Sequence, residues 1–184
     1  MHFFTSLREK YLWLSVLAVL IAIFSTLFSD QPIQRYLSEV MEAQAFLFAM
    51  IMVGAIILIY AVRKKFKSLD LVIGLGILAV YILLFLRLGL PERSHLLEYG
   101  VLAVLIHLAL IERLKKSGRP LKAALIALAL TISIGILDEC IQIFLPYRVF
   151  DPIDILFNCL AVVLAIGTRL LFQWVQKKEL RINN

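Results

Sequence analysis

Six apolar stretches, at 11–28, 43–62, 69–88, 95–111, 121–144 and 152–175, dominate this chain. Each is near the ~20 residues that a helix needs to cross about 30 Å of hydrocarbon. A chain so patterned folds by hiding its backbone hydrogen bonds from lipid, and a helical bundle does this segment by segment. The expected fold class is therefore an all-α membrane protein of about six transmembrane helices. With 184 residues, 62% of them apolar and 17% charged, little is left for a soluble domain. The first stretch follows Arg8 and Lys10 and has no small-residue A-x-A cleavage signature, so it reads as a retained signal anchor. The natural division is 1–90 for the first three spans, 91–175 for the last three and 176–184 for a tail.

The net charge of +6 and sequence pI of 9.5 would suggest a nucleic-acid partner in a soluble protein. Here the basic residues sort by loop instead, and no nucleic acid is expected. Arg8 and Lys10, Arg63 to Lys67, Arg113 to Lys122, and Lys177, Lys178 and Arg181 fall on one side, against Arg35, Arg87, Arg93 and Arg148 on the other. The positive-inside rule makes the basic side cytoplasmic, with both termini inside, as expected of a multi-pass protein of a bacterial cell membrane. Acids sort the opposite way. Asp30, Glu39, Glu42, Glu92, Glu98, Asp138, Glu139, Asp151 and Asp154 fall outside, and acids contribute little to orientation, so topology does not account for them.

Several features read as structure alone. Cys140 and Cys159 have no metal-ligand spacing and are expected to be buried apolar fillers. Gly74 with Gly76, Ala123 with Ala127 and Ala161 with Ala165 suit close helix packing. His107 reads as a satisfied interior histidine, and Tyr11, Trp13 and Trp174 as interfacial belt residues. Residues 31–42 are too polar to span and suit a short amphipathic surface helix.

The chemistry-bearing residues gather at the outer ends of the last three spans. His95 and Glu98 share a face of the fourth. Thr131, Gly135, Asp138 or Glu139, and Gln142 form a stripe along the fifth. Pro146 stops that helix, and Asp151-Pro152-Ile153-Asp154 has the form of a new N-terminus, with Asp151 as cap and proline at the first turn. Asp154 and Asn158 then share a face of the sixth span, roughly 5 to 11 Å below its outer end at 1.5 Å per residue. Acids at that depth cost up to ~2.5–3.5 kcal/mol each on insertion scales, and so should face one another or water.

Such a cluster suits three jobs. His95 with a carboxylate from Glu98, Glu139 or Asp154 makes an oriented acid and base, the carboxylates with His95 offer ligands to a divalent cation, and Arg148 can grip a phosphate. A hydrogen-bonded plug closing the top of the bundle uses the same residues.

Arg93-Ser94-His95 with Glu98-Tyr99, then Asp138-Glu139-x-x-Gln142, Pro146-x-Arg148, Asp154 and Asn158, resembles the VanZ-like family over about 91–171. That family is named for a teicoplanin-resistance membrane protein. Its polar positions correspond here to His95, Glu139, Gln142, Arg148, Asp154 and Asn158. Members often carry Asp-Lys ahead of the histidine where this chain has Arg93-Ser94, and Phe or His where it has Cys140.

The resemblance implies an integral membrane protein of four or more helices, with low-level glycopeptide resistance in some members. It also links the family to membrane proteins proposed to act on lipid head groups or lipid-linked cell-wall intermediates. The expectation is a site in the outer leaflet for membrane lipids, a lipid-linked cell-wall precursor or a lipoglycopeptide. In it His95, Glu139 and Asp154 take catalytic roles, and Glu98, Gln142, Arg148 and Asn158 take binding roles. The alternatives are a non-enzymatic envelope scaffold with a structural polar cluster, and a transporter, against which stands the absence of acids continuing inward.

Overall fold

The computed structural model describes residues 4–27, 68–87, 90–115, 118–146, 148 and 150–182. Among them all regular structure is helical, in the order α1 (Leu7–Leu27), α2 (Ser68–Arg87), α3 (Leu90–Arg113), α4 (Pro120–Gln142) and α5 (Pro152–Ile182). The expected span at 43–62 and the surface helix at 31–42 lie outside the described residues. Among the described residues three segments are long and apolar enough to cross a membrane: Ser94–Arg113, Pro120–Gln142 and Pro152–Val175, of 20, 23 and 24 residues. With 1.5 Å of rise each, these reach about 30 Å or more. The helix expected at 69–88 is present as α2, whose described apolar run, Gly74–Leu84, is shorter than a span.

Two compact units divide these helices. One comprises Met1–Ser29 with Pro91–Leu171, and so holds α1, α3, α4 and most of α5; the other comprises Asp30–Leu90 with Phe172–Asn184. In the second unit Gly74 of α2 lies against Phe172, and Gly76 has nothing within 4 Å among the described residues.

Small side chains let the helices of the first unit approach. Ala103 and Ala109 of α3, Ala123, Ala124 and Ala127 of α4, and Ala161 and Ala165 of α5 are all buried, with Leu102, Ile106, Val162 and Ile166 filling between them. Lipid gives no hydrophobic drive for helices to associate, so dispersion contacts at short interaxial distance must do it. The opposite faces carry large apolar side chains outward, among them Leu121, Leu125, Leu137, Phe144, Leu156 and Val163. Cys140 joins that outward face with Ile136 and Leu137, and is exposed rather than buried as expected. It follows the inward Glu139 by one residue, a rotation of about 100° around α4. Cys159 is half-buried, and both thiols are free.

Polar clamps fix the start of α1 to the end of α3. Ser6 Oγ accepts the Glu9 N–H at 3.0 Å and donates to Glu112 Oε1 at 3.2 Å. The Thr5 N–H and hydroxyl both donate to Glu9 Oε2 at 2.7 Å, and Arg113 Nη1 pairs with Glu9 Oε1 at 3.4 Å. Burial opposes charge on Glu9, yet the Thr5 hydrogen bonds and the Arg113 guanidinium hold its carboxyl below the ordinary value. Tyr11 and Trp174 face outward as belt residues should, whereas the Trp13 indole N–H is buried on the Glu9 side.

Candidate functional site at the His95 end of α3, α4 and α5

Opposite the Glu9 clamp, the ends of three helices bring their polar stripes together. On α3, His95, Glu98 and Tyr99 fall one turn apart and share a face. The His95 and Tyr99 rings stack with centroids 6.2 Å apart and planes 17° from parallel. Along α4 every member of the expected stripe is buried: Thr131, Gly135, Asp138, Glu139 and Gln142. Asp138 and Glu139 both point inward, where the sequence left open which of them would. The two side chains differ in length, so carboxyl groups leaving the helix 100° apart can still converge.

Asp151 opens α5 as expected of a cap: its Oδ1 accepts the Ile153 N–H at 2.8 Å, and its carbonyl accepts the Asp154 N–H at 3.1 Å. That start sets Asp154 and Asn158 on the inward face. His95 Nε2 lies 3.8 Å from Asp154 Oδ2, an electrostatic pairing just beyond hydrogen-bond length. Asn158 Nδ2 donates to the Gly135 carbonyl at 3.4 Å, and tight packing allows it: a Cβ on Gly135 would stand 3.0 Å from the Asn158 Cβ and 3.3 Å from the Tyr99 ring. Gln142 Nε2 donates to Glu139 Oε1 at 3.1 Å. Arg148, in the α4–α5 connection, acts electrostatically on Glu98 and Asp138.

What sets this cluster apart is its surplus of acceptors. Asp138 Oδ1, Glu139 Oε2 and Asn158 Oδ1 are buried without a hydrogen-bond partner among the described residues, as are His95 Nδ1 and the Tyr99 hydroxyl, which interacts electrostatically with Asp138. Leaving such atoms unpaired costs about 1–3 kcal/mol each. Thr131, by contrast, satisfies itself on the Ala127 carbonyl at 2.8 Å and adds nothing to the site. One donor atom each from His95, Asp138 and Glu139 lies within 4.8 Å of the others, a spacing that a metal ion could bridge.

The family model VanZ/LLP1 matches residues 14–173, most of the chain. The chain belongs to the VanZ/LLP1 family. The family match begins within α1, far ahead of the motif that starts near residue 91. No curated protein and no solved structure matches the chain. As a VanZ/LLP1 member with three helices long enough to span among the described residues, it is a helical membrane protein. The polar stripes of all three meet in one place.

His95, Glu139 and Asp154 are thus gathered with Gln142 and Asn158 around one spot, with Glu98 and Arg148 within electrostatic reach. Two members of the cluster, Asp138 and Tyr99, were not among the site residues expected from sequence. Both had a signal: Tyr99 stands four residues from His95, and Asp138 seven from Thr131, on the faces already marked as polar.

Proposed function

We propose that this VanZ/LLP1 protein binds the head group of a lipid or lipid-linked cell-envelope intermediate in the outer leaflet. A link to glycopeptide resistance would run through such a ligand or through the acyl tail of a lipoglycopeptide. The observation that carries the reading is the buried acceptor surplus of Asp138, Glu139 and Asn158 beside Arg148. A head group bearing hydroxyl or amino donors satisfies the acceptors, and its phosphate suits the planar fork of Arg148. The basic side of the loops supports the outer-leaflet placement. In a reacting complex with no ion bound, Glu139 or His95 serves as general base, Asp154 and Glu98 orient, and Gln142 and Asn158 position the head group.

A second reading, in which the cluster is a structural plug of an envelope scaffold, draws support from the Asn158 hydrogen bond that ties α5 to the α4 backbone. Mass spectrometry of the lipids retained by the purified protein separates the two. Wild type should enrich one head-group class, and Glu139→Gln and Arg148→Ala should each lower that enrichment about tenfold or more at matched folding. If all three retain the same lipids in the same ratio, the head-group site is wrong and the plug stands. For turnover, the lipid profile of cells expressing wild type or Glu139→Gln decides: a catalytic carboxylate replaced by its amide loses ~10²-fold or more in rate.

A further inference from the structure

Charge balance inside the cluster points further than its acceptors alone. Among the described residues, Glu98, Asp138, Glu139, Asp151 and Asp154 are five carboxylates linked electrostatically, against Arg148 and His95. Buried carboxylates at this density must be neutralised, by protons or by a cation. The donor geometry favours a cation. Among the described residues His95 Nδ1, Asp138 Oδ1 and Glu139 Oε2 are each buried and unpartnered, and these three residues offer ligand atoms within 4.8 Å of one another. An ion equidistant from three donors at that spacing would lie about 2.8 Å from each, so closing by less than ~1 Å reaches the ~2.0–2.2 Å of zinc–nitrogen and zinc–oxygen bonds.

In two of the three ligating groups the other polar atom already has a neighbour. Glu139 Oε1 accepts from Gln142, and His95 Nε2 faces Asp154 at 3.8 Å, the carboxylate–histidine arrangement that orients an imidazole toward a metal. We infer that His95, Asp138 and Glu139 form a binding site for a divalent transition-metal cation, with Asp154 and Gln142 as its positioning residues. The imidazole donor favours Zn²⁺ over Mg²⁺ and Ca²⁺, which prefer all-oxygen shells, and Mn²⁺, at home with the carboxylates, serves as a paramagnetic substitute. Three protein ligands leave a coordination position for water or for an oxygen of the head group. The inference rests on this cluster being a ligand site, and it assigns what the site holds.

The test uses the full chain, purified in phosphatidylcholine nanodiscs without a polyhistidine tag, equilibrated with Zn²⁺ or Mn²⁺, desalted and assayed by elemental analysis. Wild type and Cys140→Ser should keep one ion per chain, and His95→Gln and Glu139→Gln should lose it. Asp154→Asn should weaken binding 10–100-fold while leaving all three ligands in place. A wild type that keeps no ion, or ligand variants that keep it unchanged, overturns the site.

Should the ligand variants fail to fold, pulsed paramagnetic resonance of the Mn²⁺-loaded His2→Gln, His107→Leu double variant decides. In it only His95 can supply an imidazole-nitrogen coupling, and absence of that coupling refutes the site. Failure here is distinct from failure of the lipid reading: head-group enrichment in a metal-free protein removes the ion alone, and a bound ion without head-group enrichment removes the lipid alone.

Discussion

Two histidines on one helix show how differently this fold treats the same side chain. His95 opens toward Asp154, Tyr99 and the carboxylates of α4. His107, three turns further along α3, is 0% exposed with neither ring nitrogen hydrogen-bonded. His107 is interior, as its position in the span implies, but finds no hydrogen-bond partner among the described residues. An unpaired buried imidazole costs free energy that an apolar group of similar volume does not. His107→Leu should therefore leave the thermal midpoint of the detergent-solubilised protein unchanged or raised by a few degrees, with lipid enrichment intact. A fall in both would mean that His107 has a partner essential to the fold. Asp138 marks the opposite limit of legibility. Its adjacency to Glu139 left periodicity unable to choose between them, because the answer depended on side-chain reach and not on angle.

At the scale of elements, the last two helices were legible at their starts: 121 and 152 were expected, against Pro120 and Pro152, whereas α5 runs seven residues past the expected end at 175 and α3 starts at Leu90, five ahead of 95. Apolar runs, Pro120 and Pro152 at first turns and the Asp151 cap are local signals, and local signals survive into the fold. What could not be read was which faces meet, since tertiary approach distances leave little trace in a single chain. Gly135 is the instructive case: it appeared as one small residue in a polar stripe, and it is where α4 lies close enough to α5 and α3 to touch Asn158 and Tyr99. Gly135→Ala should push Asn158 away by a few tenths of an ångström, strain its hydrogen bond to the 135 carbonyl and destabilise by about 1–3 kcal/mol, as overpacking does. Thermal or denaturant unfolding in micelles reads this directly. A stabilised Gly135→Ala variant, as helix propensity alone would give, would show that the α4–α5 approach is looser than described.

For the whole molecule, what matters most to function is which leaflet the cluster meets. The Glu9–Arg113 clamp and the His95–Asp154 pairing sit at opposite ends of α3 in the same unit, so the two ends of this bundle differ in kind: one basic and closed by its own ion pair, the other acidic with acceptors to spare. Positive-inside reasoning assigns the first to the cytoplasm, and that assignment alone carries the outer-leaflet proposal. It can be tested apart from any ligand. In a Cys140→Ser, Cys159→Ala background, Lys115→Cys in the exposed α3–α4 turn should react with a membrane-impermeant maleimide only after cells are permeabilised, whereas Pro146→Cys, exposed beyond α4, should react in intact cells. The reverse pattern would move the polar cluster to the inner leaflet. Its carboxylates would then meet cytoplasmic head groups and substrates, and a glycopeptide acting outside the cell would no longer reach the site.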